Sequence, residues 1–178
     1  MKNQIRIAVL DDDRAEIHKT EQMISTYEEM HPEHEYAVDC YTEARTFMEA
    51  MCNGTDTAEW VYDILLMDVY LPDGNGIKCG RKLRDKGFAG VIIYKSSTAE
   101  NCLDAFAVDA MQYLIKPVSE DKLFDTMDQA IEKILTDVKY MPESPRHPED
   151  SGVPIQTKEE KSRESIKDFL TRWFHGDS

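Results

Sequence analysis

The chain has 178 residues, 41% of them hydrophobic and 31% charged, which is enough for one domain with a proper core plus an appendage and too apolar for a wholly disordered chain. Its formal net charge is −14, and residues 1–140 hold most of it, with 15 basic against 27 acidic side chains; that segment is a poor candidate for gripping nucleic acid, which needs clustered Lys and Arg. No apolar run approaches the ~20 residues of a membrane-spanning helix, and Met1–Gln4 leads into a strand-like run rather than a signal peptide.

Short apolar runs alternate with amphipathic stretches along residues 1–140. Ile5–Leu10 predicts a first strand, followed by Asp11–Asp12–Asp13 and a helix over about 14–30. Tyr36–Cys40 predicts a second strand, with a helix over about 43–52. Ile64–Val69 predicts a third, ending near Asp68, with a helix over about 75–86. Val91–Tyr94 predicts a fourth, running into Ser96–Ser97, with a helix over about 98–108. Met111–Ile115 predicts a fifth, ending at Lys116–Pro117. The last helix, about 119–139, is the clearest: Leu123, Met127, Ala130, Ile131, Ile134 and Val138 recur at helical spacing behind a Ser119 cap. The first, third and fourth runs are almost continuously apolar, as parallel strands covered on both faces should be. Strands alternating with helices in this way predict an α/β domain, a doubly wound five-stranded parallel sheet.

Residues 141–157 hold four of the seven prolines together with Ser, Glu and Gly, a linker composition. Residues 158–174 read as an amphipathic helix with Ile166, Phe169, Leu170, Trp173 and Phe174 on one face. Cys40, Cys52, Cys79 and Cys102 lie far apart without a CxxC pair, and are read as reduced thiols of a cytoplasmic protein.

In a doubly wound sheet the functional groups gather beyond the carboxyl ends of the strands. Asp11, Asp12 and Asp68 fall there. Carboxylates brought close repel one another unless a cation neutralises them, and hard oxygen ligands with room for water suit Mg²⁺. Any one of these acids alone reads more simply as a helix cap or loop acid; the set, with a lysine and a serine at other strand ends, does not. Lys116 after an apolar run predicts a buried stem and a polar head that pairs with an anion, and the Lys116–Pro117 bond is of the kind that tolerates cis. Ser96 offers a hydroxyl to a phosphoryl oxygen, although Ser96–Ser97–Thr98 reads equally well as a cap for the next helix. Together these residues supply a nucleophilic aspartate, a metal site, a cation and a hydroxyl. That combination fits transfer of a phosphoryl group onto Asp68, a reaction that depends mainly on positioning and charge neutralisation.

Four segments, IAVLDDD (Ile7–Asp13), DILLMDVYLPDGNGI (Asp63–Ile77), IIYKSS (Ile92–Ser97) and DAMQYLIKPV (Asp109–Val118), occur in the order found in receiver domains of bacterial two-component response regulators, which the chain resembles over about residues 4–138. The stretch CLDAFAVDAMQYLIKPV (Cys102–Val118) is most similar to receivers of LytTR-type regulators. The resemblance implies the flavodoxin-like receiver fold and a phosphorylation-dependent signalling switch that takes its phosphoryl group from a sensor histidine kinase or phosphotransfer protein. It implies Asp68 as phosphoacceptor. Mg²⁺ would be held by Asp12 directly, by Asp11 mainly through water, by Asp68 and by the backbone carbonyl of Tyr70. Lys116 would pair with the phosphoryl group, Ser96 would bind a phosphoryl oxygen after transfer, and Tyr113 would be the aromatic switch. Pro72, Asp73, Gly74 and Gly76 match the loop after the phosphoacceptor and read as a tight turn in which Gly permits positive φ. A homodimer through the last helices is a family-based option. Three residues depart from the family pattern: Ser96 where Thr is commoner, Tyr70 as a bulky residue on the route to the site, and Lys95 where an apolar residue is typical. Lys95 is expected at the site rim or in solvent.

A LytTR-type regulator would continue into a DNA-binding domain of about a hundred residues, whereas residues 141–178 show no strand pattern. DNA binding is therefore not carried over, and the chain is read either as a single receiver with a helical appendage or as a fragment of something longer. The 158–174 helix is expected to fold back on the domain or to dock a protein partner. Two other functions compete with the switch. One is a Mg²⁺-dependent phosphohydrolase of the haloacid dehalogenase type, which would use Asp11 as nucleophile but has Ala15 against it and leaves Asp68–Gly74 unexplained. The other is an interaction module with a vestigial site.

Overall fold

The computed structural model describes residues 3–51 and 60–139; the 141–157 linker and the 158–174 helix lie outside the described residues. The elements follow the expected alternation: β1 (Asn3–Leu10), α1 (Arg14–Met30), β2 (His34–Tyr41), α2 (Ala44–Met51), β3 (Ile64–Asp68), β4 (Tyr70–Leu71), β5 (Gly74–Asn75), α3 (Gly76–Asp85), β6 (Val91–Ser96), α4 (Cys102–Phe106), β7 (Gln112–Ile115) and α5 (Glu120–Lys139). Five of the strands form one parallel sheet in the order β2-β1-β3-β6-β7.

Strand periodicity divides the core in two. Ile7 and Val9 of β1, Ile64 and Leu66 of β3, and Val91 and Ile93 of β6 face Ile17, Ile24 and Tyr27 of α1 and Leu123, Met127 and Ala130 of α5. Ala8 and Leu10, Leu65 and Met67, and Ile92 and Tyr94 face the other way, onto Phe47 and Met48 of α2, Cys79 and Leu83 of α3 and Ala105 of α4. Both faces of β3 and β6 are therefore buried, which is why those runs are continuously apolar.

Helix starts follow local chemistry. Asp13 caps α1 by accepting from Ala15 N (2.8 Å), and Asn75 caps α3 by accepting from Ile77 N (2.9 Å). Ser119 Oγ accepts from Lys122 N at the start of α5 (3.3 Å). The first turn of α2 is capped from a distance: the Asp73 carboxylate accepts from Ala44 N (2.8 Å) and Arg45 N (3.0 Å).

Two expectations are corrected here. The tight turn expected after Asp68 is present, at the tip of a small antiparallel hairpin with Tyr70 opposite Asn75 and Leu71 opposite Gly74, but no glycine in it has positive φ. Among the described glycines only Gly87 has positive φ, at 92°. Gly76 is needed for closeness instead, because a Cβ there would stand 2.0 Å from the Asp68 carbonyl oxygen. The helix expected over 98–108 is regular only over Cys102–Phe106, and its cap position is Asn101 with no side-chain cap bond, so neither Ser97 nor Thr98 caps it.

Candidate functional site

The chain leaves β1 toward β2 on one side and returns to β3 on the other, so the topological switch point lies between β1 and β3. Register then decides which side chains meet. Leu10 is paired with Met67, so the next residues, Asp11 and Asp68, emerge side by side. Asp68 is itself paired with Lys95, and Ser96 with Ile115, the residue before Lys116. Lys116 N donates to the Ser96 carbonyl (2.8 Å), and the Lys116–Pro117 peptide is cis.

Asp11, Asp12 and Asp68 each present an oxygen within 4.8 Å of the others. Asp11 is fully buried, Asp68 is 7% exposed and Asp12 lies open. Lys116 Nζ bridges two of them, donating to Asp68 Oδ2 (2.7 Å) and pairing with Asp11 Oδ2 (2.8 Å). The remaining oxygens are also engaged: Asp11 Oδ1 accepts from Asp13 N (3.1 Å) and Asp68 Oδ1 from Tyr70 N (3.1 Å). Partial burial disfavours the Lys116 ammonium, but its contacts with Asp11 and Asp68 outweigh that and raise its pKa above the ordinary lysine value.

Ser96 is fully buried at the end of β6, inside the strand rather than after it, and its Oγ accepts from Thr98 N at 3.4 Å. Tyr113 is half-buried, and its hydroxyl donates to the Thr98 carbonyl (2.8 Å), tying β7 to the loop behind Ser96. Tyr70 is 45% exposed, and its hydroxyl accepts from Asn101 Nδ2 (2.7 Å), so the β3–β4 turn is tied to the start of α4. Asp11, Asp12, Asp68, Tyr70, Ser96 and Lys116 thus lie at one end of the sheet, and the Tyr113 hydroxyl reaches the loop there.

A sequence profile described as "Response regulator receiver domain" matches residues 7–128. The chain belongs to the response regulator receiver domain family. The receiver is 25% identical over 154 residues to the Enterococcus faecalis "Sensory transduction protein LytT", covering 85% of this chain and 58% of that protein. It is 32% identical over 73 residues to the Staphylococcus aureus "Transcriptional regulatory protein LytR", covering 41% of this chain and 28% of that protein. These names agree with the LytTR-type motif seen in the sequence. The chain thus spans less than two thirds of the length of these relatives. Its fold is that of the response regulatory domain of mrkE from Klebsiella pneumoniae (TM-score 0.63, 13% identity, 74% of this chain and 99% of that one). The same holds for a CheY-like receiver from Methanospirillum hungatei JF-1 (TM-score 0.62, 20% identity, 76% and 99%). Among the described residues no helix is long and apolar enough to cross a membrane.

Lys95 of this receiver is not at the rim or in solvent, as expected from the sequence. It is 2% exposed, its Nζ donates to Thr20 Oγ1 of α1 (2.8 Å), and it stands 3.5 Å from Asp11 Oδ2. Burial lowers its pKa, and the Asp11 charge opposes that shift. The signal was present in the sequence: residue 95 shares strand parity with Val91 and Ile93, which point to the α1/α5 layer. The Asn101–Tyr70 tie and the Asp73 cap left no such signal, because both join residues far apart in sequence.

Proposed function

We propose that this receiver is a phosphorylation switch in which Asp68 accepts a phosphoryl group from the phosphohistidine of a sensor kinase or phosphotransfer protein. The observation that carries the reading is the Lys116 ammonium held between Asp68 and Asp11 beside a third, open carboxylate, Asp12. In the transfer the donor P–N bond breaks, a P–O bond to the Asp68 carboxylate forms, and the imidazole leaves. Asp68 suits the nucleophile's part better than Asp11. Asp11 is fully buried with its Oδ2 facing two ammonium groups, whereas Asp68 keeps some exposure at the strand end. This weighs against the phosphohydrolase alternative.

The donor set fits Mg²⁺. It offers hard oxygens, one of the carboxylates is open to water, and three acids face two lysines, leaving a deficit of one positive charge. Asp11, Asp12, Asp68 and the Tyr70 carbonyl are the residues that would hold it, and the ion would supply positive charge to the phosphoryl oxygens. Lys116 keeps its ammonium against Asp68 and meets the charge that the phosphoryl group brings. Ser96, two residues from Thr98, would donate its hydroxyl to a phosphoryl oxygen. Movement there pulls on the Thr98 carbonyl that Tyr113 holds, so Tyr113 would report the change to the β7 surface. The domain in this reading catalyses only its own phosphorylation and dephosphorylation.

Intact-mass spectrometry after incubation with Mg²⁺ and acetyl phosphate tests this. A single phosphoryl adduct on the wild-type chain that is absent from Asp68→Asn is expected. An equal adduct on the Asp68→Asn chain would overturn the assignment.

A further inference from the structure

Among the described residues, Lys95 is the one buried charged group that the switch reading does not use. Its side chain leaves β6 toward the α1/α5 layer, among Val91, Ile93 and their neighbours, where a lysine is expensive to bury. The ammonium is held from behind by Thr20 Oγ1 of α1, whose own hydroxyl donates to the Glu16 carbonyl (2.8 Å). In front it meets Asp11 Oδ2 at 3.5 Å, the same oxygen that Lys116 contacts at 2.8 Å. At 2% exposure the head is shut off from solvent.

We propose that Lys95 is a built-in second counter-cation of the acidic site, which keeps Asp11 neutralised without metal and weakens the domain's hold on Mg²⁺. The inference rests on the reading of Asp11, Asp12 and Asp68 as the Mg²⁺ site. With Lys116 alone, the three carboxylates would leave two negative charges unmatched, and repulsion between buried acids would destabilise the metal-free fold. Lys95 removes one of them. The same charge then repels an arriving cation from a few ångströms away in a poorly solvated position, where Coulomb interactions are screened least. Lys95 also competes for the Asp11 oxygen, and it remains with Asp11 when Lys116 turns to a phosphoryl group on Asp68. Lys95 is thus a positioning residue for Asp11, and this receiver needs more Mg²⁺ than one with a neutral residue at position 95.

The test is calorimetric titration of the EDTA-stripped full chain with Mg²⁺ alone, for wild type, Lys95→Met, Lys95→Gln and Asp12→Asn, with heat melts in EDTA and in Mg²⁺. Both Lys95 variants are expected to bind Mg²⁺ about tenfold tighter than wild type, as removal of one nearby like charge should produce. They should also melt lower in EDTA and gain more from Mg²⁺. A purely structural role for Lys95 would lower the melt in EDTA without tightening Mg²⁺ binding. Kd values unchanged or weaker in both variants, with Asp12→Asn abolishing binding, overturn the Lys95 inference alone. Undiminished binding by Asp12→Asn overturns the metal reading and this inference with it. If a Lys95 variant is unfolded in EDTA, recovery of its fold at Mg²⁺ concentrations below the wild-type Kd supports the inference, and no recovery of either variant at any Mg²⁺ concentration overturns it.

Discussion

Replacing Gly76 with alanine sets two known effects against each other at the base of the site. Gly76 opens α3, and its N–H donates to the Val69 carbonyl (2.9 Å) while its carbonyl accepts from the Tyr94 hydroxyl (3.1 Å). An alanine in a helix is worth at most about 1 kcal/mol over glycine. The added Cβ, however, would stand 2.0 Å from the Asp68 carbonyl oxygen, 3.0 Å from its carbonyl carbon and 3.4 Å from the Val69 Cα, all of them backbone atoms. No rotamer relieves that contact; β3 and the start of α3 must move apart. Forced overpacking of this kind costs about 1–3 kcal/mol or more. The clash therefore wins, with a net loss of about 1–2 kcal/mol and a melting temperature lower by roughly 3–8 °C. The displaced backbone is that of Asp68 itself, so labelling by acetyl phosphate should slow along with the fall in stability. Gly87→Ala is the control: with nothing within 4 Å and φ at 92°, it loses about 1–2 kcal/mol by strain alone and should leave labelling intact. Circular-dichroism melts and a labelling time course read both effects. Gly76→Ala melting at or above wild type, with normal labelling, would refute the reasoning.

Arg84 donates to the carbonyls of Val108 (3.2 Å), Phe88 (2.6 Å), Gly90 (2.8 Å) and Asp109 (3.0 Å), so Arg84→Met should lose about 2–4 kcal/mol by orphaning several acceptors, read by urea unfolding. Asn101→Ala releases the Tyr70 hydroxyl from the start of α4; with about 1 kcal/mol of restraint removed, hydrolysis of the acyl phosphate should speed up a few-fold, measured as decay of the mass adduct after donor removal. Burial pushes the Cys40 and Cys79 thiols up to about 12, for Cys40 with help from a hydrogen bond to Glu21 (3.3 Å). A raised thiol pKa keeps the proton on: at pH ~8 only about one molecule in ten thousand carries the thiolate, against roughly a quarter for an ordinary cysteine. Iodoacetamide alkylation of these two sites at pH ~8, followed by peptide mass mapping, should be far slower in the folded protein than in the urea-unfolded chain; equal rates in the two would refute this.

Much of the site was legible because its residues sit at the ends of apolar runs. Asp11 and Asp12 after Ile5–Leu10, Asp68 near the end of Ile64–Val69, and Lys116 after Met111–Ile115 could be collected before any contact was known. A buried parallel strand must be apolar on both faces, so its end is marked by the first polar residue that the sheet no longer covers. The lysine at 95 breaks that rule, since it is polar and still inside the strand, and its polarity alone pointed toward the rim.

By itself the sequence determined the order of the five parallel strands and the helices between them, the parity of each of their residues, and the set of groups available for chemistry, because these follow from short-range periodicity and from side-chain identity. Tertiary structure decided which groups share a partner. Only the pairing of β1 with β3, and of β3 with β6, brings Asp11, Asp68 and Lys95 together. Only the packing of α1 across that face supplies Thr20 behind the Lys95 ammonium. Likewise, only the return of α3 beneath Asp68 turns Gly76 from a flexible residue into a close approach. The first two join segments far apart along the chain, and the third depends on how the Tyr70–Asn75 hairpin folds back; all three rest on register and element placement, which no local periodicity encodes.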